Sequence, residues 1–200
     1  QDGFGDRWSI LLETAEYHTH PATNWGIEIR QNPQADNEYR YFTFAWKADR
    51  RNSGLMIQLH GKWGFGCAHA DACWDHRWYA GTQDSMAPIL KNPKDGGNVQ
   101  KKLLPEGSYS TDWKFIILDL SDAATGIIHA QPFKMLKGEW TVNAIALDTD
   151  NPFPNGGGTH FDAMYFTQTL KEAEDIERRA RAVSPEDKVA TTWGRIRAQR

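Results

Sequence analysis

Cysteine is nearly missing from this chain of 200 residues: Cys67 and Cys73 stand alone, six apart. That spacing is neither the Cys-x-x-Cys of a zinc ribbon or redox motif nor the Cys-x-x-Cys-His of haem c attachment. A pair with nothing left over suits a disulfide in an oxidising compartment, and closing so small a loop contributes about 2 kcal/mol. Charge of one sign is also lacking. Lys and Arg number 23 against 26 Asp and Glu, a net −3, so no basic stripe exists to neutralise the phosphates of a nucleic acid. Apolar runs such as 115–118 are far too short for membrane insertion by a helix. No Gly-x-Ser-x-Gly elbow and no His-Glu-x-x-His occurs. Gly156, Gly157 and Gly158 lie in a Pro-Asn-Gly loop, not in a phosphate-binding turn after a strand. The chain opens Gln1-Asp2-Gly3, as a mature extracytoplasmic protein does once its signal peptide is removed, and as a trimmed chain also does.

Tryptophan, in contrast, is abundant: nine residues, about three times an average share. Most of the chain reads as short strands between Gly, Pro, Asn and Asp. Residues 25–29, 39–46, 55–60, 76–80, 113–120, 140–148 and 160–167 are the candidates. In 39–46, Phe42, Phe44 and Trp46 share one face and Tyr39, Tyr41 and Thr43 the other, so both faces look covered; Arg40 marks an edge or an ion pair. In 55–60, Leu55, Ile57 and Leu59 point inward against Met56, Gln58 and His60. Seven such strands with long loops predict a mainly β fold, an antiparallel β-sandwich of jelly-roll type over 25–168, preceded by an N-terminal extension, 1–24.

The C-terminal segment, 169–200, reads as a helical arm. Thr169-Leu170-Lys171-Glu172 is a capping box. Leu170, Ala173, Ile176, Ala180 and Val183 form a thin apolar stripe, and Glu174 with Arg178, Asp175 with Arg179 and Glu177 with Arg181 are acid-to-base pairs at i,i+4. Ser184-Pro185-Glu186 ends that helix and starts a second, with Val189, Trp193 and Ile196 on one side. Such an arm either folds back on its own domain or reaches a partner through Leu170, Ile176, Trp193 and Ile196.

The order and spacing of Glu38 to Lys47, Gly54 to Leu59, Lys62-Trp63-Gly64, Arg77 to Gly81, Asp112-Trp113 through Leu118-Asp119-Leu120, and Phe161 to Tyr165 resemble a β-sandwich domain of extracytoplasmic planctomycete proteins. The resemblance covers residues 25–168 and implies fold and compartment; that family offers no catalytic residues to carry over. A nearly free-standing domain, the 67–73 loop and the helical arm depart from its pattern. In these departures the chain is similar to an accessory subunit of a respiratory complex in anammox-type planctomycetes, such as the small subunit that organises nitrite oxidoreductase into tubules.

Chemistry-bearing residues are sparse. His60, His69, Asp71, Asp75 and His76 cluster around the cysteine loop without helical ligand spacing, and His18 and His20 read as surface histidines. Asp148 and Asp150, with Asp119 or Asp162 nearby, offer hard oxygens for a structural calcium, although Asp and Asn are also ordinary turn formers. Asp119 and Asp162 are the acidic residues of apparent strand interiors, placed either as a glycosidase pair or as partners of Arg40 or Arg77. Met56, Met86, Met135 and Met164 are haem-ligand types without a matching motif. The expectation is thus a non-catalytic extracytoplasmic subunit without a required cofactor. Trp63, Trp74, Trp78 and Tyr79 supply an aromatic surface for protein partners, self-association or, alternatively, a polysaccharide. Trp46, Trp113 and Trp140 are assigned to the core.

Overall fold

A computed structural model describes residues 10–12, 16–18, 27–49, 55–61, 76–80, 100–104, 110–122, 140–149 and 158–182. They form a mainly β protein with one helix among the described residues. All seven expected strands are present: β3 (Ile27–Ile29), β5 (Tyr41–Ala48), β6 (Leu55–Gly61), β7 (His76–Ala80), β9 (Lys114–Asp119), β10 (Trp140–Thr149) and β11 (Thr159–Thr167). Four short strands join them: β1 (Ile10–Leu12), β2 (Glu16–His18), β4 (Glu38–Tyr39) and β8 (Gln100–Leu103). Two to four residues carry too little periodicity to be recognised without the neighbour that hydrogen-bonds to them.

One sheet has four strands in the order β1-β11-β5-β9, all antiparallel. The other has seven, ordered β4-β3-β10-β6-β7-β8 with β2 also on β10; it is antiparallel except for the β3–β4 and β7–β8 pairs. Within the expected N-terminal extension, 1–24, the described residues 10–12 and 16–18 are strands. β1 pairs with β11 in one sheet and β2 with β10 in the other.

One core draws on both sheets: Phe42, Phe44, Trp46, Leu118 and Phe161 from the smaller, Ile29, Leu55, Ile57, Leu59, Trp78 and Val142 from the larger. Trp46 meets Phe44 edge-on at 4.9 Å and Phe161 at 6.1 Å, geometries that suit the ring quadrupole. The alternation read in β6 is incomplete as a guide, because Met56 and Gln58 are buried along with Leu55, Ile57 and Leu59. The strand lies between β10 and β7, inside the larger sheet. Trp46 is a core residue as expected, whereas Trp113 is only half-buried.

Helix α1 (Leu170–Ala182) starts as its capping box dictates. The Glu172 amide donates to Thr169 Oγ1 at 3.2 Å, and Glu172 Oε2 accepts the amides of Thr169 and Gln168 at 3.1 and 2.9 Å. α1 packs against β11, β5 and β9 with Ala173 fully buried. This first half of the expected arm belongs to its own domain. Among the described residues no helix is long and apolar enough to cross a membrane.

Candidate functional site

The candidate site is the face of the four-stranded sheet that points away from the core. Successive strand residues alternate sides. While the even-numbered Phe42, Phe44 and Trp46 fill the core, Tyr41, Thr43, Ala45 and Lys47 of β5 therefore lie on the opposite face, where Thr43 and Ala45 are fully buried and Tyr41 and Lys47 half-buried. Register places Asp119, Ile117 and Phe115 of β9 beside Tyr41, Thr43 and Ala45. On the other flank β11 contributes Thr167, Tyr165, Asp162 and His160 beside Tyr41, Thr43, Ala45 and Lys47.

β11 reaches this arrangement through a bulge. Strict alternation would put Asp162 and Met164 on one face and Phe161 and Tyr165 on the other. The register shifts between Asp162 and Tyr165, so one extra residue is absorbed and the later side chains swap faces. Tyr165 is thereby sent outward and Phe166 inward, where Phe166 stacks on Phe42 at 4.7 Å. Ala163 takes the left-handed conformation there, with φ 50°. Its amide donates to Asp162 Oδ1 at 2.6 Å and its carbonyl accepts Thr43 Oγ1 at 3.1 Å. For a residue with a Cβ this conformation costs about 1–2 kcal/mol. Its effect is to present Tyr165, which is 53% exposed.

Two polar clusters bound the row. At one end Arg40 grips Asp119 through Nε and Nη2, at 3.0 and 2.7 Å, with its guanidinium 5.3 Å from the centre of the Tyr41 ring. Asp119 Oδ1 also accepts the Ser121 amide and hydroxyl, at 2.9 and 2.6 Å. Burial opposes ionisation of Asp119, but Arg40 and both Ser121 donors outweigh it and hold the carboxyl below the usual carboxylate range. At the other end His160 Nε2 lies 2.9 Å from Asp49 Oδ1, and Asp49 Oδ2 accepts the Gly158 amide at 2.8 Å. The Trp113 ring sits edge-on to His160 at 6.2 Å, with Lys47 Nζ 5.3 Å from its centre.

The Arg40–Asp119 pair is the ion-pair reading of the sequence realised. It also separates the two acidic residues weighed as a glycosidase couple. Asp119 and Asp162 lie on the two strands flanking β5, opposite Tyr41 and Ala45. Four residues of strand is about 13 Å, beyond the roughly 5–9.5 Å that glycosidase carboxyls need.

The expected aromatic surface is altered. Trp78 is fully buried in the core and cannot belong to it. Tyr79, half-buried, points to the opposite side of β7. Trp63, Trp74, Cys67 and Cys73 lie outside the described residues, as do Trp193, Ile196, Asp150, Met86 and Met135. Of the arm residues, Leu170 is 45% exposed, and Ile176 is half-buried and lines a cleft described below. Asp148 lies in β10 next to Met56 and Glu16, in the larger sheet, whereas Asp119 and Asp162 belong to the smaller. Among the described residues no three His, Cys, Asp or Glu side chains are grouped to hold a metal. The His160–Asp49 pair escaped notice in the sequence because 111 positions separate its members. Tyr165 escaped because strict alternation assigns it inward.

No family model matches this chain, no curated protein is significantly similar to it, and no solved structure matches it.

Proposed function

We propose that the two sheets form a jelly-roll-like β-sandwich and that the protein is a non-catalytic extracytoplasmic interaction subunit. It binds a protein partner or copies of itself through the outward face of the four-stranded sheet. The observation that carries this reading is Tyr165: a bulge with an unfavourable alanine conformation sends a large aromatic ring outward. Around it stand the half-buried Ile117, Phe115 and Tyr41, with Asp162 and the Arg40–Asp119 pair at hand. Aromatic anchors in a polar surround are what protein interfaces use for affinity. The accessory-subunit resemblance and the near-neutral net charge favour the same reading.

Placing a charge at the centre of the proposed contact tests it. Tyr165→Asp abolishes association with the partner or with further copies while thermal unfolding stays near wild type; normal association by that variant refutes the proposal. A second reading, polysaccharide binding, rests on the same rings, since aromatic faces stack on sugars while the partly exposed Asp162 offers a polar contact. That reading predicts reproducible glycan-array hits lost in Tyr165→Ala.

A further inference from the structure

A cleft of about 420 Å³ runs along one flank of α1, between the helix and the 31–38 loop, and Tyr165 does not line it. Its apolar lining is Tyr39, Phe166 and Ile176, with the two rings 6.1 Å apart centre to centre. The walls are held in place. Gln168 Nε2 donates to the Ala35 carbonyl at 2.7 Å, tying the start of α1 to the loop. Glu38 shapes that loop by accepting the Gln34 and Ala35 amides at 2.6 and 3.2 Å.

The charges on this cleft are ordered. Glu172, Asp175, Ile176 and Arg179 line it at i, i+3, i+4 and i+7, one stripe of α1. Asp36 follows Ala35 and so belongs with Glu172 to the end where α1 starts. Arg179 lies seven residues beyond Glu172, about 10 Å along the helix axis. An acidic start and a basic end suit the helix dipole, and α1 matches two of its pairs internally, Arg178 with Asp175 at 2.6 Å and Arg181 with Glu177 at 2.7 Å. Asp36 and Arg179 are left over. Among the described residues neither makes an ion pair, Arg179 donating through Nε to the Asp175 carbonyl at 3.2 Å. Both are exposed.

A surface with opposite charges at its two ends complements itself under a twofold rotation. Setting a second α1 antiparallel across the cleft, with paired numbers summing to 351, places Arg179 of the second copy beside Glu172 and Asp36. Symmetry repeats that contact at the other end and brings the two Ile176 residues together near the axis. A parallel pairing would instead set Glu172 against Glu172 and Arg179 against Arg179. We infer that this cleft is a twofold interface with a second copy of the chain. Arg179 of each copy reaches the Asp36 and Glu172 carboxylates of the other, and the apolar lining is withdrawn from water between them. The inference does not rest on the sheet-face reading: the dimer persists in Tyr165→Asp, which removes only association beyond it.

Sedimentation of the full chain over a range of concentrations tests the inference. The wild type is a reversible dimer that weakens as salt rises. Arg179→Glu and, separately, Asp36→Arg each weaken it about tenfold or more, because each puts like charges together twice in the symmetric pair. Thermal unfolding near wild type shows that both variants stay folded. Mixed in equal amounts they dimerise again, since the exchanged charges of the two copies then face each other at one end and the native pair re-forms at the other. A wild type that is monomeric at every concentration overturns the inference, as do single variants that dimerise normally or variants that remain monomeric when mixed. A dimer lost in Tyr165→Asp and kept in both cleft variants also overturns it, by assigning self-association to the sheet face.

Discussion

The two faces of the four-stranded sheet are built from the same strands yet obey different rules. Inward, Phe42, Phe44, Trp46, Leu118 and Phe161 are apolar and at most 3% exposed, so each is fixed by the cost of the cavity its loss would leave. On the other face Thr43 and Ala45 are fully buried, but Tyr41, Ile117, Asp162 and Tyr165 mix ring, aliphatic and charge, and their exposure ranges from half-buried to open. Stability dictates the first set. On our proposal the second is chosen for contact, and the bulge at Ala163 serves it by turning Tyr165 outward.

Substitutions on opposite faces should therefore diverge. The largest effect belongs to the inner face: Phe44→Ala lowers stability by about 3–5 kcal/mol in denaturant titration, and any loss of association follows the loss of fold. Next comes the Arg40–Asp119 bridge, which closes the end of the outward row. Asp119→Asn costs about 1 kcal/mol, since the pair is partly exposed. Its pH signature is specific. The depressed carboxyl contributes stability that is complete above its ordinary value of 3.8 and is lost as pH falls through its lower folded value. Acid titration of Asp119→Asn accordingly shows a shallower loss in that window than the wild type. Ala163→Gly acts in the opposite direction, stabilising by about 1 kcal/mol because glycine accepts the left-handed conformation freely. Smallest is Tyr165→Ala, with a stability change within about 0.5 kcal/mol. If Tyr165→Ala unfolded the protein as Phe44→Ala does, the distinction between the faces would fail.

Much of the inner face was legible in the sequence, and little of the outer. Alternation in 39–46 identified Phe42, Phe44 and Trp46 because burial repeats every second residue, and Thr169 with Glu172 marked the helix start because capping is local. The Arg40 pairing was legible as one of two options. Tyr165 was hidden because a single-residue bulge reverses alternation, and a bulge is a property of the strand pair, not of one strand. Trp78 misled for the converse reason: a tryptophan beside a turn-rich loop reads as surface until its partner Ile57 places it in the core. β1, β2 and β8 were invisible because pairing with distant strands defines them. His160 and Asp49 likewise meet only through the β5–β11 ladder.

The most direct test is the reactivity of the Tyr165 ring to covalent surface labelling, measured in the isolated chain and again in the assembly purified from its source cells. The proposal predicts a ring that reacts readily alone and is shielded in the assembly, with the Tyr165→Asp chain folded but left out of it. Equal labelling in both states, together with normal incorporation of Tyr165→Asp, would contradict the assignment of this face.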